Sequence, residues 1–258
     1  MRYSNYYKRL LNKLGYYDYQ SRLIYRHLNQ EGGWESHNEN CRSFILRALD
    51  LYKPERVTVL GSGWLLELPL AELSERTEKV FLVDIVHPPD VVSQTSVLEN
   101  VVLVEDDVTG GLIEEVYKEV RKFSFFKRMK SLENIQIPEY KPDFDPGLVI
   151  SLNIITQLES LPVDYLRSKA RISDDEYAHF RSEIQGRHLS FLKKHPSLLI
   201  SDTAEIFTDR KGIEEKVQTL MIELPAGRLS EQWTWDFDLK GVDNYTRRSV
   251  MNVTAVAF

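Results

Sequence analysis

The chain has 258 residues, 42% hydrophobic and 28% charged, enough apolar material for one large α/β domain or one domain with a helical extension. A formal net charge of -6 excludes a global positive field drawing it to nucleic acid or anionic lipid, and the single cysteine, Cys41, excludes an internal disulfide. The longest apolar runs, KVFLVDIV and GLVISLNII, fall short of the roughly 18–20 residues that cross a bilayer. The tyrosine- and lysine-rich N-terminus lacks the apolar stretch of a signal or anchor, so a soluble, cytoplasmic protein without a membrane partner is expected.

The first element expected is a helix from Tyr3 to His27, where apolar and aromatic residues recur at spacings of three and four between Arg and Lys. The two glycines of EGGW break it. A second helix, CRSFILRALDLY, stops before Lys53-Pro54 because proline disfavours helical geometry in its predecessor. From Arg56 the texture becomes alternating strand and helix. RVTVLGSG reads as a strand ending in glycines, LLELPLAELSER as a helix, KVFLVDIV as a second strand and NVVLVEDD as a third. A helix is expected from Gly111 to Lys130, then a proline-rich loop, ENIQIPEYKPDFDPG, then a fourth strand, GLVISLNII. The long helix after it opens on a capping signal, Ser173 with Glu176 three residues on, and leads to a fifth strand, SLLISD. KVQTLMIEL, EQWTWDFDL and RRSVMNVTAVAF close the chain as strands, the last two with no helix between them.

This order implies an α/β fold: a doubly wound, mostly parallel seven-stranded sheet with an antiparallel C-terminal edge pair. Residues 1–55 form an N-terminal helical extension or lid, and residues 56–258 the Rossmann-like domain. In such a sheet ligands bind beyond the carboxyl ends of the strands. Gly61, Ser62 and Gly63 follow the first strand, where glycines let backbone approach a ligand or let strand and helix pack closely. Asp84 ends the second strand, 23 residues after Gly61, placed to accept from both ribose hydroxyls or to cap the next turn. Asp107, beside Glu105 and Asp106, ends the third and could accept from an adenine amino group or cap a helix.

These segments resemble the class I S-adenosylmethionine-dependent methyltransferases. VTVLGSGWLLEL stands at that family's glycine motif, VFLVDI at its ribose acid, LVEDDVTG at its third motif, FDPGLVISLNIITQL at its fourth and LLISD at its fifth strand. GSGWLLELPLAEL with LVDIVHPPD is similar to a bacterial methyltransferase-like group without an assigned substrate. The resemblance implies S-adenosylmethionine as cofactor and methyl transfer to a small-molecule or protein acceptor. Val59 stands where the family carries an acid, and Leu65 replaces its third glycine. Glu67 offers a displaced negative charge for the methionine ammonium, or a helix first-turn acid.

On the acceptor side Trp34, His37 and Cys41 could line a lid, with His37 as general base or as a helix cap. Asn153 and Gln157 after the fourth strand, and Asp202 at the end of the fifth, are candidates to orient an acceptor or to satisfy turns. Phe123, Phe126 and Met129 at helical spacing face the core rather than nucleic acid, and Trp233, Trp235 and Phe237 form one buried strand face. No cysteine or histidine cluster suggests a metal. Two rival readings are a non-catalytic cofactor-sensing or partner-binding module of the same fold, and a nicotinamide-dependent oxidoreductase. The missing third glycine and the antiparallel pair speak against the second.

Overall fold

The structure, a computed structural model, describes residues 3–30, 32–123, 128–241 and 247–258. Three helices come first: α1 (Asn5–Leu14), α2 (Tyr16–Asn29) and α3 (Glu35–Tyr52). The single helix expected from Tyr3 to His27 is in fact two, because Gly15 takes a left-handed conformation (φ 86°) that ends α1 and starts α2. Ser4 caps α1, its Oγ accepting from the Tyr7 amide at 3.1 Å.

The alternating region follows as β1 (Arg56–Leu60), α4 (Leu70–Arg76), β2 (Lys79–Asp84), α5 (Pro89–Thr95), β3 (Val101–Glu105) and α6 (Leu112–Arg121). Then come β4 (Leu148–Leu152), α7 (Ser160–Lys169), α8 (Asp174–Leu192), β5 (Ser197–Thr208), β6 (Glu214–Gln218), β7 (Leu229–Asp238) and β8 (Arg248–Ala257). Helix α4 starts five residues later than the sequence pattern suggests, since Leu65 turns the chain at φ 63° and Pro69 precedes the first helical residue. Helix α6 ends at Arg121 rather than Lys130; Phe123 packs on the core, Met129 is buried, and Phe126 lies outside the described residues. Ser173 caps α8 as expected, but the Glu176 carboxylate accepts from the Leu132 amide at 2.6 Å instead of closing the capping box.

The sheet runs β3-β2-β1-β4-β5-β8-β7, parallel through β5 and antiparallel at β8 and β7, which gives the expected seven-strand path. An eighth strand, β6, pairs antiparallel with the far end of β5, which is twice as long as its sequence motif. Alternation along the strands divides two buried layers. Val57, Val59, Val80, Leu82 and Ile150 pack with Phe44 and Ile45 of α3 and with Leu73 and Val91 on one face. Leu60, Val83 and Val149 pack with Leu112, Leu166 and Ile184 on the other. Helix α3 is therefore a layer of the sandwich itself. Leu10, Leu11 and Leu14 of α1 pack on Ile113 of α6 in a third, smaller cluster.

Candidate functional site

A cavity opens at the carboxyl ends of β1 to β4, the edge where a doubly wound sheet leaves room for a ligand. Gly61, Gly63, Asp84, Asp106 and Asp107 form its floor on the side of β1 to β3. The two glycines serve different ends. Gly61 (φ 79°) admits no side chain because a Cβ would stand 2.8 Å from Ile154 Cβ and from the Leu152 carbonyl. Gly63 (φ 50°) has open space, and its amide donates to Asp84 Oδ2 at 2.8 Å.

That bond is the centre of the site. Asp84 is 5% exposed, and its Oδ1 accepts from the Ile85 amide at 2.7 Å and from Gln20 Nε2 at 3.2 Å. Burial raises its carboxyl pKa, opposed by the Gly63 amide, nearby His87 and the Ile85 and Val86 amides. A carboxylate has about four lone-pair sites, so at most one stays open, on Oδ2. Beside it, Oε1 of Gln20 is buried and has no hydrogen-bond partner in the protein. Asp107 is arranged similarly: Oδ1 accepts from the Thr109 amide (2.9 Å) and hydroxyl (2.5 Å), and Oδ2 from Tyr7 of α1 at 2.7 Å. Burial raises its pKa too, against Thr109 and Tyr7. Asp106 accepts from the Tyr140 hydroxyl at 3.0 Å.

The roof comes from the N-terminal helices. Tyr19 donates to Gln157 Oε1 at 3.3 Å, and the Trp64 indole donates to the Gln20 carbonyl at 3.1 Å. Tyr16, Tyr19, Gln20 and Leu23 all face the cavity. Sequence reasoning missed Tyr7, Gln20 and Trp64 as site residues. Nothing in their spacing marks them, because they reach the site through tertiary packing across 44 to 100 positions.

The wall near β4 holds Asn153, Gln157, Glu67, Trp34 and Trp235. Asn153 is one of three non-glycine residues with positive φ (49°) among the described residues, a strain that asparagine tolerates better than most. Burial raises the Glu67 pKa; its own backbone, Arg42 and the Asn153 side chain oppose that.

Three of the expected site residues lie elsewhere. His37 sits behind the wall, fully buried, its ring stacked on Trp235 at 3.8 Å. Trp233 Nε1 donates to its Nδ1 at 3.0 Å, and Nε2 lies 3.0 Å from the Asn153 amide. Burial lowers its pKa to about 3, so the ring is neutral, and with Nδ1 accepting, the proton belongs on Nε2. The Asn153 side chain is then best read with its oxygen toward His37. His37 thus holds Asn153 in place and has no path to a substrate proton. Ser62 is 1% exposed and turned away from the cavity, where its carbonyl accepts from the Leu65 amide at 3.0 Å. Asp202 is 5% exposed and accepts from Thr156 Oγ1 at 2.6 Å, outside the cavity wall. Trp233, Trp235 and Phe237 do share the inward face of β7, and Trp235 reaches through to the cavity. Among the described residues no group of three His, Cys, Asp or Glu side chains could hold a metal, and no helix is long and apolar enough to cross a membrane.

No family model matches the sequence, and no curated protein matches it. Solved structures do. The chain is similar to DhpI bound to S-adenosylhomocysteine, with 11% identity, 96% of each chain covered and a TM-score of 0.37. It is similar to the 1,6-didemethyltoxoflavin-N1-methyltransferase of Burkholderia thailandensis (12%, 100% of this chain and 91% of that one, TM-score 0.42). It is also similar to the N-methyltransferase NodS of Bradyrhizobium japonicum (9%, 85% of each, TM-score 0.34). Identities this low leave the function to be argued from the residues of this chain.

Proposed function

We propose that the chain is an S-adenosylmethionine-dependent methyltransferase with its cofactor site on the floor just described. The observation that carries this reading is the pairing of a buried carboxylate, Asp84, with the Gly63 amide at 2.8 Å, 23 residues beyond Gly61 at the end of the neighbouring parallel strand. Oδ2 of Asp84 and the orphaned Oε1 of Gln20, whose Nε2 bonds the same carboxylate, are two acceptors suited to the two hydroxyls of a ribose. The donor set fits the cofactor: Asp107 keeps one lone pair for an adenine amino group, and Glu67 lies where a methionine ammonium would be neutralised. When bound, the cofactor supplies a methyl group activated by a sulfonium. The residues of this chain supply position and charge: Gly63 and Asp84 fix the nucleoside end, and Glu67 with Asn153 the amino-acid end. Helices α1 and α2 keep water out. Helices α1 and α2 thus take the role of a lid, while α3 belongs to the sheet domain.

Isothermal titration with S-adenosylhomocysteine on the wild type and on Asp84→Asn tests this. Binding weakened at least tenfold in a variant with unchanged melting temperature supports the assignment. Absence of both heat and thermal shift on the wild type overturns it and favours the partner-binding module of the same fold.

A further inference from the structure

The cavity has a second half, beyond the nucleoside floor, and its composition limits what can enter. Three of the four tryptophans of the chain, Trp34, Trp64 and Trp235, stand in the cavity wall with Tyr19, Leu23 and Leu161. Aromatic faces of this kind hold flat rings by stacking and edge contacts. Among the described residues lining the cavity there is no lysine, arginine or histidine, whereas Glu67, Asp84, Asp106 and Asp107 are all carboxylates. The neighbouring arginines are turned to other partners: Arg42 donates to the Leu66 carbonyl, and Arg26 lies over the Phe237 ring at 4.2 Å. In the empty cavity an anionic acceptor would therefore meet Glu67 and the three aspartates and no cationic side chain in the lining.

Two polar groups in this half lack a partner, the end of the Asn153 amide turned from His37 and the Trp235 N–H. The Trp34 indole donates to the Phe237 carbonyl at 3.0 Å and the Trp64 indole to the Gln20 carbonyl at 3.1 Å. The Trp235 indole N–H, on a ring only 4% exposed, has no acceptor in the protein. A buried donor without an acceptor costs stability, and such a group beside a cavity is naturally matched by a ligand heteroatom.

We infer that the second half of the cavity takes an uncharged, flat aromatic small molecule carrying a heteroatom for the Trp235 N–H, and turns away acceptors bearing carboxylate or phosphate. The inference rests on the methyl-transfer reading for calling that molecule an acceptor, but the preference itself is a property of the wall.

The test uses the full chain, with and without saturating S-adenosylhomocysteine, titrated calorimetrically with 2-naphthol and with 2-naphthoate. These share one ring system and differ by a negative charge at neutral pH. The expected result is saturable binding of 2-naphthol, at least tenfold tighter than 2-naphthoate, with the gap narrowed in Glu67→Gln and 2-naphthol weakened in Trp235→Phe. Equal or tighter binding of 2-naphthoate, or no binding of either ring, overturns the inference. Neither result bears on the cofactor, whose own heat of binding decides the methyltransferase reading separately.

Discussion

Gln20→Ala is the sharpest probe of how the lid and the floor cooperate. Gln20 is a residue of α2, yet its amide spans the cavity: Nε2 donates to Asp84 Oδ1 at 3.2 Å, while Oε1 is buried and unpartnered. If Oε1 takes one ribose hydroxyl and Asp84 Oδ2 the other, alanine removes one ligand hydrogen bond outright. It also removes one of the three donors that hold the carboxylate in place. A hydrogen bond between neutral groups is worth about 1 kcal/mol net, and one to a charged group about 1.5–3 kcal/mol, with water recovering part of the second. The sum for binding is about 1.5–2 kcal/mol, or roughly a 10- to 30-fold rise in Kd. Alanine is a good helix former, so α2 itself should be undisturbed. Calorimetry with S-adenosylhomocysteine measures the change, and the same titration with an analogue lacking the ribose hydroxyls serves as control, where the loss should shrink several-fold. An unchanged or lower Kd for the full ligand would refute the pairing of Gln20 with Asp84 and mean that the amide only plugs the site.

Two further expectations concern the framework. Glu159 is 1% exposed, and burial lifts its carboxyl pKa from 4.5 to about 7 despite Arg181 at 3.1 Å. Its folded pKa lies above the unfolded one, so its contribution to stability is present below pH 4.5 and is lost as pH rises to about 7. At roughly 1.4 kcal/mol per pH unit this amounts to about 3 kcal/mol. Urea unfolding of wild type and Glu159→Gln at pH 5 and pH 8 should show the variant's relative stability rising by about 2–3 kcal/mol at the higher pH; a constant difference would refute it. Gly61→Ala should cost about 2–4 kcal/mol of stability without ligand, from the positive φ and the 2.8 Å approach to Ile154 and Leu152. Gly63→Ala should cost only about 1 kcal/mol, the left-handed backbone alone. Similar melting temperatures for the two variants would mean that Gly61 is not held by packing.

The fold was legible because its signals are local. β-branched runs ending in glycine or acid identify β1 to β3, a further apolar run identifies β4, and their alternation with helical stretches compels a parallel sheet. The floor of the site was legible for the same reason: Gly63 and Asp84 sit at strand ends, and strand ends are where the pattern breaks. What escaped is non-local. The sequence offers His37 as a lid residue, general base or helix cap, and only the packing of β7 against α3 shows Trp233 and Trp235 enclosing its ring. Ser62 follows the end of β1, whereas Asp202, last residue of its sequence motif, lies in the middle of β5, and each is drawn inward by neighbours that no spacing announces. The extension beyond its motif that lengthens β5 and recruits β6 has no separate hydrophobic signature, since β6 is exposed along its whole length.

The lid is attached unevenly. At the far end of α2, Gln30 is clasped to β7 by two bonds, Nε2 to Asp238 at 3.2 Å and Oε1 from the Leu239 amide at 2.8 Å, with Arg26 seated on Phe237. At the near end, α1 hangs from Gly15 and reaches Asp107 through the single hydroxyl of Tyr7. Such a door is hinged on one side and latched on the other. Its latch is Tyr7 on the carboxylate assigned to the adenine, together with Lys13 donating to Tyr117 and the leucines of α1 on Ile113, so the residence time of a bound nucleoside is coupled to how often these contacts lift together. Product departure, rather than methyl transfer, would then set the pace of turnover.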